Sequence, residues 1–301
     1  MGIKSISSDK YLFYDKIKTI INGEIMEKLV FGTAGIPIGT KPRTYDAAFE
    51  YLKTLALEGM EIEFVRGVNM NPQTVKMVKQ LAAEQGLTLT AHGPYYINLN
   101  SQEQDKIEAS KKRILDTARV THSCGGFSIT FHAAFYMGMS KEYTYNTVKS
   151  GFEEIINTLK SENINIWVRP ETTGKGTQWG DLDEIIRLSK ELDMVLPCVD
   201  FSHLHARYAG KYSTYDEFAQ VFERIGNEVG AYALENFHAH IAGIEYGLKG
   251  EKKHLNLEES DMNYKDLMRA FKDFDVKGIV ISESPNIEGD ALLLQEYYNS
   301  L

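Results

Sequence analysis

Residues 87–121 have the sequence LTLTAHGPYYINLNSQEQDKIEASKKRILDTARVT, in which a β-rich run, a histidine and a helical pattern follow one another. The run over Leu87–Ala91 is short and rich in leucine and threonine, which predicts a strand. Asp105–Thr121 is longer and carries apolar residues at helical spacing, which predicts a helix. His92 stands where the strand ends. The stretch therefore predicts one strand–helix unit with a reactive side chain at the end of its strand.

The same order of a short strand and a longer helix recurs from residue 28 onward. Strands are predicted at Leu29–Gly32, Ile62–Val65, Leu87–Ala91, Phe127–Phe131, Ile164–Val168, Val195–Val199, Asn236–Ile241 and Gly278–Ile281. Helices are predicted at Tyr45–Leu57, Asp105–Thr121, Tyr143–Lys160, Leu182–Leu192, Ser213–Ile225 and Tyr264–Phe271. Eight parallel units in about 270 residues predict an α/β protein with the TIM (β/α)8 barrel fold. A doubly wound open sheet is the alternative, but no glycine-rich phosphate-binding sequence follows the first strand.

The composition is that of an ordinary globular protein and disfavours several other classes. Of the 301 residues, 43% are hydrophobic and 25% are charged, and no apolar run reaches the roughly 18 residues of a transmembrane helix. The N-terminus lacks the apolar segment of a signal peptide. The two cysteines, Cys124 and Cys198, match no disulfide or zinc-finger pattern. We therefore expect a cytoplasmic protein that has no membrane partner.

Residues 1–26 are predicted to be an N-terminal extension, natural or vector-derived, and residues 27–301 to be the catalytic barrel domain. The net charge of −9 is a warning against a nucleic-acid partner, because phosphate binding usually goes with a basic surplus. It does not exclude such a partner, since carboxylates that bind metal ions contribute to the total.

Metal-binding residue types occur at the ends of six consecutive predicted strands, which is where TIM barrels carry their chemistry. They are His92, His132, Glu171, Asp200 with His203, His238 with His240, and Glu283. Any one of them alone would more often be structural. Together they imply a cation, because converging acids and imidazoles would otherwise shift one another's pKa. One ion needs three or four protein ligands, so this number of candidates predicts two or three ions. Histidine and carboxylate ligands without thiolate indicate Zn²⁺, or else Mn²⁺ or Fe²⁺.

Four short motifs resemble those of the endonuclease IV family of DNA-repair hydrolases. They are HGPYYINL at 92–99, PETTGK at 170–175, DFSH at 200–203 and ISESP at 281–285. The resemblance spans residues from about 28 to 300 and identifies the chain as a divergent member. It implies a zinc-dependent phosphodiesterase that cuts double-stranded DNA on the 5′ side of abasic sites, and it implies a monomer. The nucleophile would be a metal-bridging hydroxide.

The resemblance also implies three zinc sites that share ligands. The sets are His92, His132 and Glu171 for the first ion, Glu171, Asp200, His240 and Glu283 for the second, and His203 and His254 with one acid for the third. Glu171 would hold the metal pair, and Glu283 would orient or deprotonate the nucleophile. The implied DNA contacts are Tyr95 and the basic residues Lys175, Arg207, Lys249, Lys252 and Lys253.

Three positions depart from the family pattern. Lys252 stands where the family has an aspartate, so either Glu251 substitutes or the third ion is weak or absent. His238 and His240 are both candidates on one strand, and spacing favours His240. Ser202 replaces the usual cysteine of the DFSH motif.

Two other functions are compatible with parts of this pattern. A single-metal sugar isomerase or epimerase of the same superfamily would need only Glu171, Asp200, one of the two histidines of strand seven, and Glu283. It would have no use for His92, His132, His203 or His254. The second is a metal-binding scaffold that has lost catalysis. One ion per chain would indicate the isomerase, two or three the nuclease, and none the scaffold.

Overall fold

The computed structural model describes residues 26–301, so the predicted extension lies outside the described residues except for Met26. Twelve strands are present over this range. They are β1 (Leu29–Ala34), β2 (Gly59–Glu63), β3 (Thr88–His92), β4 (Ser128–Phe131), β5 (Ala134–Phe135), β6 (Trp167–Pro170), β7 (Gln178–Trp179), β8 (Val199–Asp200), β9 (Phe237–Ile241), β10 (Gly243–Gly247), β11 (Gly250–Leu255) and β12 (Gly278–Ser282).

Eight of these strands form one sheet in the order β6-β4-β3-β2-β1-β12-β9-β8, and every neighbouring pair is parallel. The two end strands are joined by the parallel bridges Val168↔Val195 and Glu171↔Cys198. The sheet thus closes on itself, and the predicted TIM barrel is confirmed.

Ten α-helices accompany the strands over the described range. They are α1 (Tyr45–Thr54), α2 (Pro72–Gln85), α3 (Gln104–Ser123), α4 (Lys141–Ser161), α5 (Leu182–Glu191), α6 (Phe201–Arg207), α7 (Tyr215–Glu228), α8 (Ala231–Leu234), α9 (Tyr264–Asp273) and α10 (Glu288–Ser300). Among residues 26–301, none of these helices is long and apolar enough to cross a membrane.

Two predicted strand boundaries are wrong in ways that affect the site. The second strand was expected at Ile62–Val65, but it begins at Gly59 and includes Glu61 and Glu63. The sixth was expected at Val195–Val199, but the regular ladder there is only Val199–Asp200. Pro197 lies within the expected run and has no N–H to donate to a ladder, so residues 195–198 pair only through two isolated bridges.

The barrel interior differs from the packing between the barrel and its helices. The helices bury a large apolar core against the outer face of the sheet. Val30, Ile279 and Ile281 form a separate small apolar cluster, on which Met26 packs. Ile279 and Ile281 are in register with His238 and His240 of β9, so the apolar cluster and the two histidines share the inner face. The interior therefore combines a small apolar floor with buried polar groups.

An antiparallel hairpin, β10–β11, follows β9 and was not predicted from the sequence. Its register pairs Glu245 with Lys253 and Tyr246 with Glu251, so Lys252 is the extra residue of a bulge. In a regular strand, residues 251 and 254 would face opposite sides. The bulge changes this alternation, and both Glu251 and His254 line the cavity at the mouth of the barrel.

Candidate metal centre

A cavity of about 430 Å³ opens at the C-terminal ends of the barrel strands. Most of the residues singled out from the sequence converge on it. Those that line it include His92, His132, Glu171, His203, His254 and Glu283. Asp200 and His240 lie just beneath it and are fully buried. The strand-end positions therefore do meet in space, as the barrel geometry requires.

The first group is His92, His132 and Glu171, whose ligand atoms lie close together. Glu171 Oε2 is 3.0 Å from His92 Nε2 and 3.2 Å from His132 Nε2. His92 Nδ1 lies 2.7 Å from the carbonyl oxygen of Gly93. A carbonyl only accepts, so Nδ1 carries the hydrogen and the Nε2 lone pair is directed at the group.

The second group is Glu171, Asp200, His240 and Glu283. His240 Nδ1 is 3.3 Å from Glu283 Oε1 and 3.5 Å from Glu171 Oε1. Three of the converging atoms, Glu171 Oε1, Asp200 Oδ2 and His240 Nδ1, are buried without a hydrogen-bond partner. An unsatisfied buried polar atom costs roughly 1–3 kcal/mol. Metal ligation would satisfy all three at once, so these residues fit a bound cation.

The third group is Asp200, His203 and His254. His254 Nε2 is 3.5 Å from His203 Nε2. His203 Nδ1 is 3.0 Å from the Thr172 carbonyl oxygen, and His254 Nδ1 is 3.2 Å from that of Glu283. As with His92, the carbonyl partners fix the hydrogen on Nδ1 and leave Nε2 for an ion.

Glu251 is the second acid near the third group. Its Oε2 lies 3.7 Å from His203 Nε2, and its backbone N–H donates to the Gly174 carbonyl, which docks the hairpin on the β6–β7 loop. A Cβ at Gly174 would come within 2.7 Å of the Glu251 Cβ, so only glycine admits this approach. Lys252 points elsewhere, with its Nζ 3.1 Å from Glu245 Oε1.

Carboxylates dominate the electrostatics of the three ligand groups. Burial disfavours protonation of His92, but the carboxylates of Glu171, Glu63 and Glu61 outweigh burial and raise the pKa of His92 to about 10. Burial likewise disfavours charge on His203, yet Asp200 and Glu171 raise its pKa to about 10. These carboxylates hold protons on the imidazoles, which is the charge that divalent cations would replace.

His238 does not join the second group, although it was a candidate for it. Its Nε2 is 3.0 Å from Glu61 Oε2 and its Nδ1 is 3.2 Å from Ser128 Oγ, below the mouth. Burial is the main reason that its pKa is lowered to about 4. The structure thus brings His240, and not His238, to Glu171 and Glu283.

The basic residues expected at DNA have different surroundings. The Arg207 guanidinium donates to Thr173 Oγ1 and to the carbonyls of Lys175 and Gln178, so it is used to hold the β6–β7 loop. Lys175 Nζ lies 4.0 Å from Glu251 Oε2, and Lys253 Nζ lies 3.6 Å from Glu245 Oε2. Tyr95 lines the cavity with its ring largely exposed.

Sequence reasoning missed two acids, Glu61 and Glu63 of β2. Glu61 is fully buried and contacts both histidines of β9. Glu63 lines the cavity, and its Oε1 has no hydrogen-bond partner; burial raises its pKa to about 8. Because Glu61 and Glu63 are two residues apart, both side chains lie on the same face of the strand. The alternation over Gly59–Glu63 was the sequence pattern that could have revealed them.

Comparison with known proteins gives both a family and a set of relatives. The family model described as Xylose isomerase-like TIM barrel matches residues 49–299. An uncharacterised protein of Methanocaldococcus jannaschii is 46% identical over 281 residues, covering 93% of this chain and 100% of that protein. An apurinic-apyrimidinic endonuclease of Caenorhabditis elegans is 28% identical over 168 residues, covering 54% of this chain and 41% of that protein.

Two solved structures with different activities in their names share the fold. A D-tagatose 3-epimerase-like protein superimposes with a TM-score of 0.68 and 17% identity, covering 90% of this chain and 96% of the other. Endonuclease IV from Thermus thermophilus gives a TM-score of 0.67 and 18% identity, covering 91% and 100%. Similarity at this level establishes the fold and leaves the choice of reaction to the site.

Proposed function

The chain belongs to the Xylose isomerase-like TIM barrel family, and we propose that within it this protein is a zinc-dependent phosphodiesterase that cuts DNA 5′ to abasic sites. The observation that carries the proposal is the presence of three ligand groups at one mouth. A single-metal enzyme needs only the second group. The sequence relatives named apurinic-apyrimidinic endonuclease or endonuclease 4 support the same choice.

Glu171 is the residue that links the groups. Its Oε2 faces His92 and His132, while its Oε1 faces His203 and His240. Divalent ions bound here would neutralise a phosphodiester and lower the pKa of an attacking water. Glu171 would contribute a carboxylate oxygen to each of the first two ligand groups, since its two oxygens face different histidines.

Glu283 is placed to handle the proton of the nucleophile. Its Oε1 is 3.3 Å from His240 Nδ1, and its Oε2 is 3.9 Å from His254 Nδ1, so the carboxylate lies between the second and third groups. Its side chain lines the cavity, where a substrate would enter. A carboxylate in that position can orient a water and accept its proton.

The rim of the barrel offers surface for a DNA substrate. Of the ten exposed large hydrophobic residues in the described range, nine lie on segments that follow strand C-termini. These are Ile38, Val65, Tyr95, Tyr96, Phe135, Met137, Tyr143, Tyr208 and Leu248. This is the end of the barrel at which TIM-barrel enzymes bind their substrates. They could pack on the sugars and bases around a missing base, where flipping the lesion costs least.

The decisive experiment uses a duplex with one tetrahydrofuran abasic analogue and an undamaged duplex, each with and without chelator. We expect chelator-sensitive cleavage 5′ to the analogue only, leaving a 3′-hydroxyl that a polymerase extends. His92→Ala should abolish cleavage, and His122→Ala, whose histidine lies on α3 outside the metal groups, should retain it. Failure of metal-replete protein to cut the damaged duplex would refute the proposal.

A sugar epimerase is the second candidate, favoured by two observations. The second group alone supplies two glutamates, an aspartate and a histidine, which suffice for one ion, and the net charge of −9 suits a small neutral substrate better than DNA. Elemental analysis separates the two functions. About one ion per chain with activity on ketoses would support the epimerase, and two or three ions would support the nuclease. A cytoplasmic, monomeric protein is part of the nuclease proposal.

A further inference from the structure

Beneath the metal groups, a row of buried polar side chains crosses the barrel interior. It consists of Arg169, Ser128, His238, Glu61 and His240, which we call the interior row; all five are fully buried. Only His240 belongs to a group assigned above to a metal ion. The other four need an explanation, because polar groups in a barrel interior are costly where apolar residues would serve.

The row has a direction that Arg169 imposes. A guanidinium can only donate hydrogen bonds. Arg169 Nε donates to Ser128 Oγ at 2.7 Å, and its terminal nitrogens donate to the carbonyls of Pro197 and Asn236. Ser128 Oγ therefore accepts from Arg169 and turns its own hydrogen toward His238 Nδ1, which lies 3.2 Å away.

The direction continues through His238 to Glu61. With Nδ1 of His238 accepting, the ring hydrogen is on Nε2, 3.0 Å from Glu61 Oε2. Thr90 Oγ1 donates to the same oxygen at 2.7 Å. The other oxygen, Glu61 Oε1, is 2.8 Å from His240 Nε2. Neither histidine contact has the alignment of a regular hydrogen bond, but both place an imidazole nitrogen directly against the Glu61 carboxylate.

His240 is the point where the row reaches the metal groups. A carboxylate only accepts, so the Glu61 contact places a hydrogen on His240 Nε2. Nδ1 faces Glu171 and Glu283 and is the ring nitrogen that would bind an ion held by those carboxylates. His92, His203 and His254 have the opposite arrangement, with backbone carbonyls at Nδ1 and Nε2 left for an ion.

We propose that the interior row is a positioning device that fixes the tautomer of His240 and directs its Nδ1 lone pair at the second ion. Glu61, His238 and Ser128 are positioning residues that act through His240 and do not touch the substrate. The inference rests on the proposed metal centre but not on the identity of the substrate. Groups that orient a metal-binding histidine typically change metal affinity by about 10–100-fold.

The direct test is nitrogen-15 NMR of histidine-labelled, zinc-loaded protein, which distinguishes protonated from metal-bound ring nitrogens. We expect His240 to bind through Nδ1 with hydrogen on Nε2, and His92, His203 and His254 to bind through Nε2. Because this measurement uses the unaltered protein, it stands even if a variant fails to fold. Binding of His240 through Nε2 would overturn the proposal.

Affinity measurements on variants test the row itself. Glu61→Gln should weaken Co²⁺ binding at one site by about 10–100-fold, measured by chelator competition. Ser128→Ala should weaken it by a smaller factor, and Ser128→Thr, which keeps the hydroxyl, should restore it. Ser189→Ala is the matched control. Ser189 lies on α5, outside the interior row, and its buried hydroxyl has no hydrogen-bond partner in the described range, so this substitution should leave Co²⁺ affinity unchanged. Unchanged affinity in Glu61→Gln would contradict the proposal.

Cys198 offers an alternative role for His238 and His240, which the same Co²⁺-loaded samples can test. Its thiol forms a possible ligand group with His238 and His240. If an ion bound there, Co²⁺-loaded protein would show thiolate charge-transfer absorption in the near ultraviolet, and the positioning role would be refuted. Absence of that absorption supports the row. Failure to cut DNA with the expected tautomers observed would refute the nuclease proposal alone, whereas failure to bind any metal would refute both.

Discussion

The proposed metal centre has inner ligands on the barrel strands and outer ligands on the β10–β11 hairpin, and the two sets are held in different ways. Glu171, Asp200 and His240 lie on or at the ends of parallel strands and are almost fully buried. His254 and Glu251 lie on the β10–β11 hairpin, with side chains 23% and 18% exposed. Ligands fixed by the sheet are preorganised, whereas hairpin ligands depend on how the hairpin docks. The comparison teaches that the inner ions should be retained and the outer ion should exchange.

The largest effect is expected from Glu171→Gln, since Glu171 serves both inner groups. Replacing the carboxylate by a neutral amide removes the charge and one of the two ligand oxygens, and it should lower incision of abasic DNA by more than about 100-fold, beyond the upper end for groups that only orient a ligand. Elemental analysis should show a loss of more than one ion per chain. Full metal content in this variant would mean that the inner groups do not share Glu171.

A smaller effect is expected from Glu251→Gln, which alters only the hairpin side. The outer ion should bind about tenfold more weakly, while the two inner ions remain after brief chelator treatment. Time-resolved chelator competition measures the release rates of the inner ions and of the outer ion in one sample. If all ions were released at the same rate, both from this variant and from the unaltered protein, the distinction between inner and outer ligands would be wrong.

Arg207→Ala tests whether hydrogen bonds from the Arg207 guanidinium stabilise the β6–β7 loop, on which the hairpin docks. Loss of the guanidinium bonds to the β6–β7 loop should lower the free energy of unfolding by about 1–3 kcal/mol, measured by urea denaturation of metal-free protein. The salt dependence of DNA binding should stay the same, because the side chain is already used inside the protein. A decrease in the salt slope would instead indicate a phosphate contact.

The smallest effect is expected from Lys252→Ala. Its Nζ pairs with Glu245 on the exposed side of the hairpin, so metal content should not change, and incision should change less than about twofold, as for most exposed ion pairs. Lys252→Asp is a useful partner variant. A tighter outer ion in Lys252→Asp would show that this position can reach the site.

Much of the inner region could be predicted from the sequence. Parallel strands of a barrel end at one mouth, so a residue's place at a strand end was enough to bring His92, Glu171 and Glu283 together. The same argument could not identify Glu61, because it lies inside β2 and not at the end of that strand, and the predicted strand began only at Ile62. Its contacts with His238 and His240 establish that it faces inward.

The outer ligands on the β10–β11 hairpin, and the loop that faces them, were harder to predict for a different physical reason. The positions of Glu251 and His254 depend on hairpin register, which short-range sequence patterns specify weakly. Arg207 has mainly backbone carbonyls and one hydroxyl as partners, and such contacts have no characteristic sequence. A basic residue near a mouth was therefore assigned to DNA, although its hydrogen bonds are made within the protein.

The bulge at Lys252 also has a consequence for how relatives should be compared. The resemblance to endonuclease IV places Lys252 where that family has an aspartate, which implies a lost ligand. In space, the extra residue displaces Lys252 outward and brings Glu251 to within 3.7 Å of His203. A β-bulge can thus bring the neighbouring acid to the site although the residue at the matching motif position is a lysine. Homologues that differ here by one residue should be compared after superposition, since gap placement alone would misassign the acid.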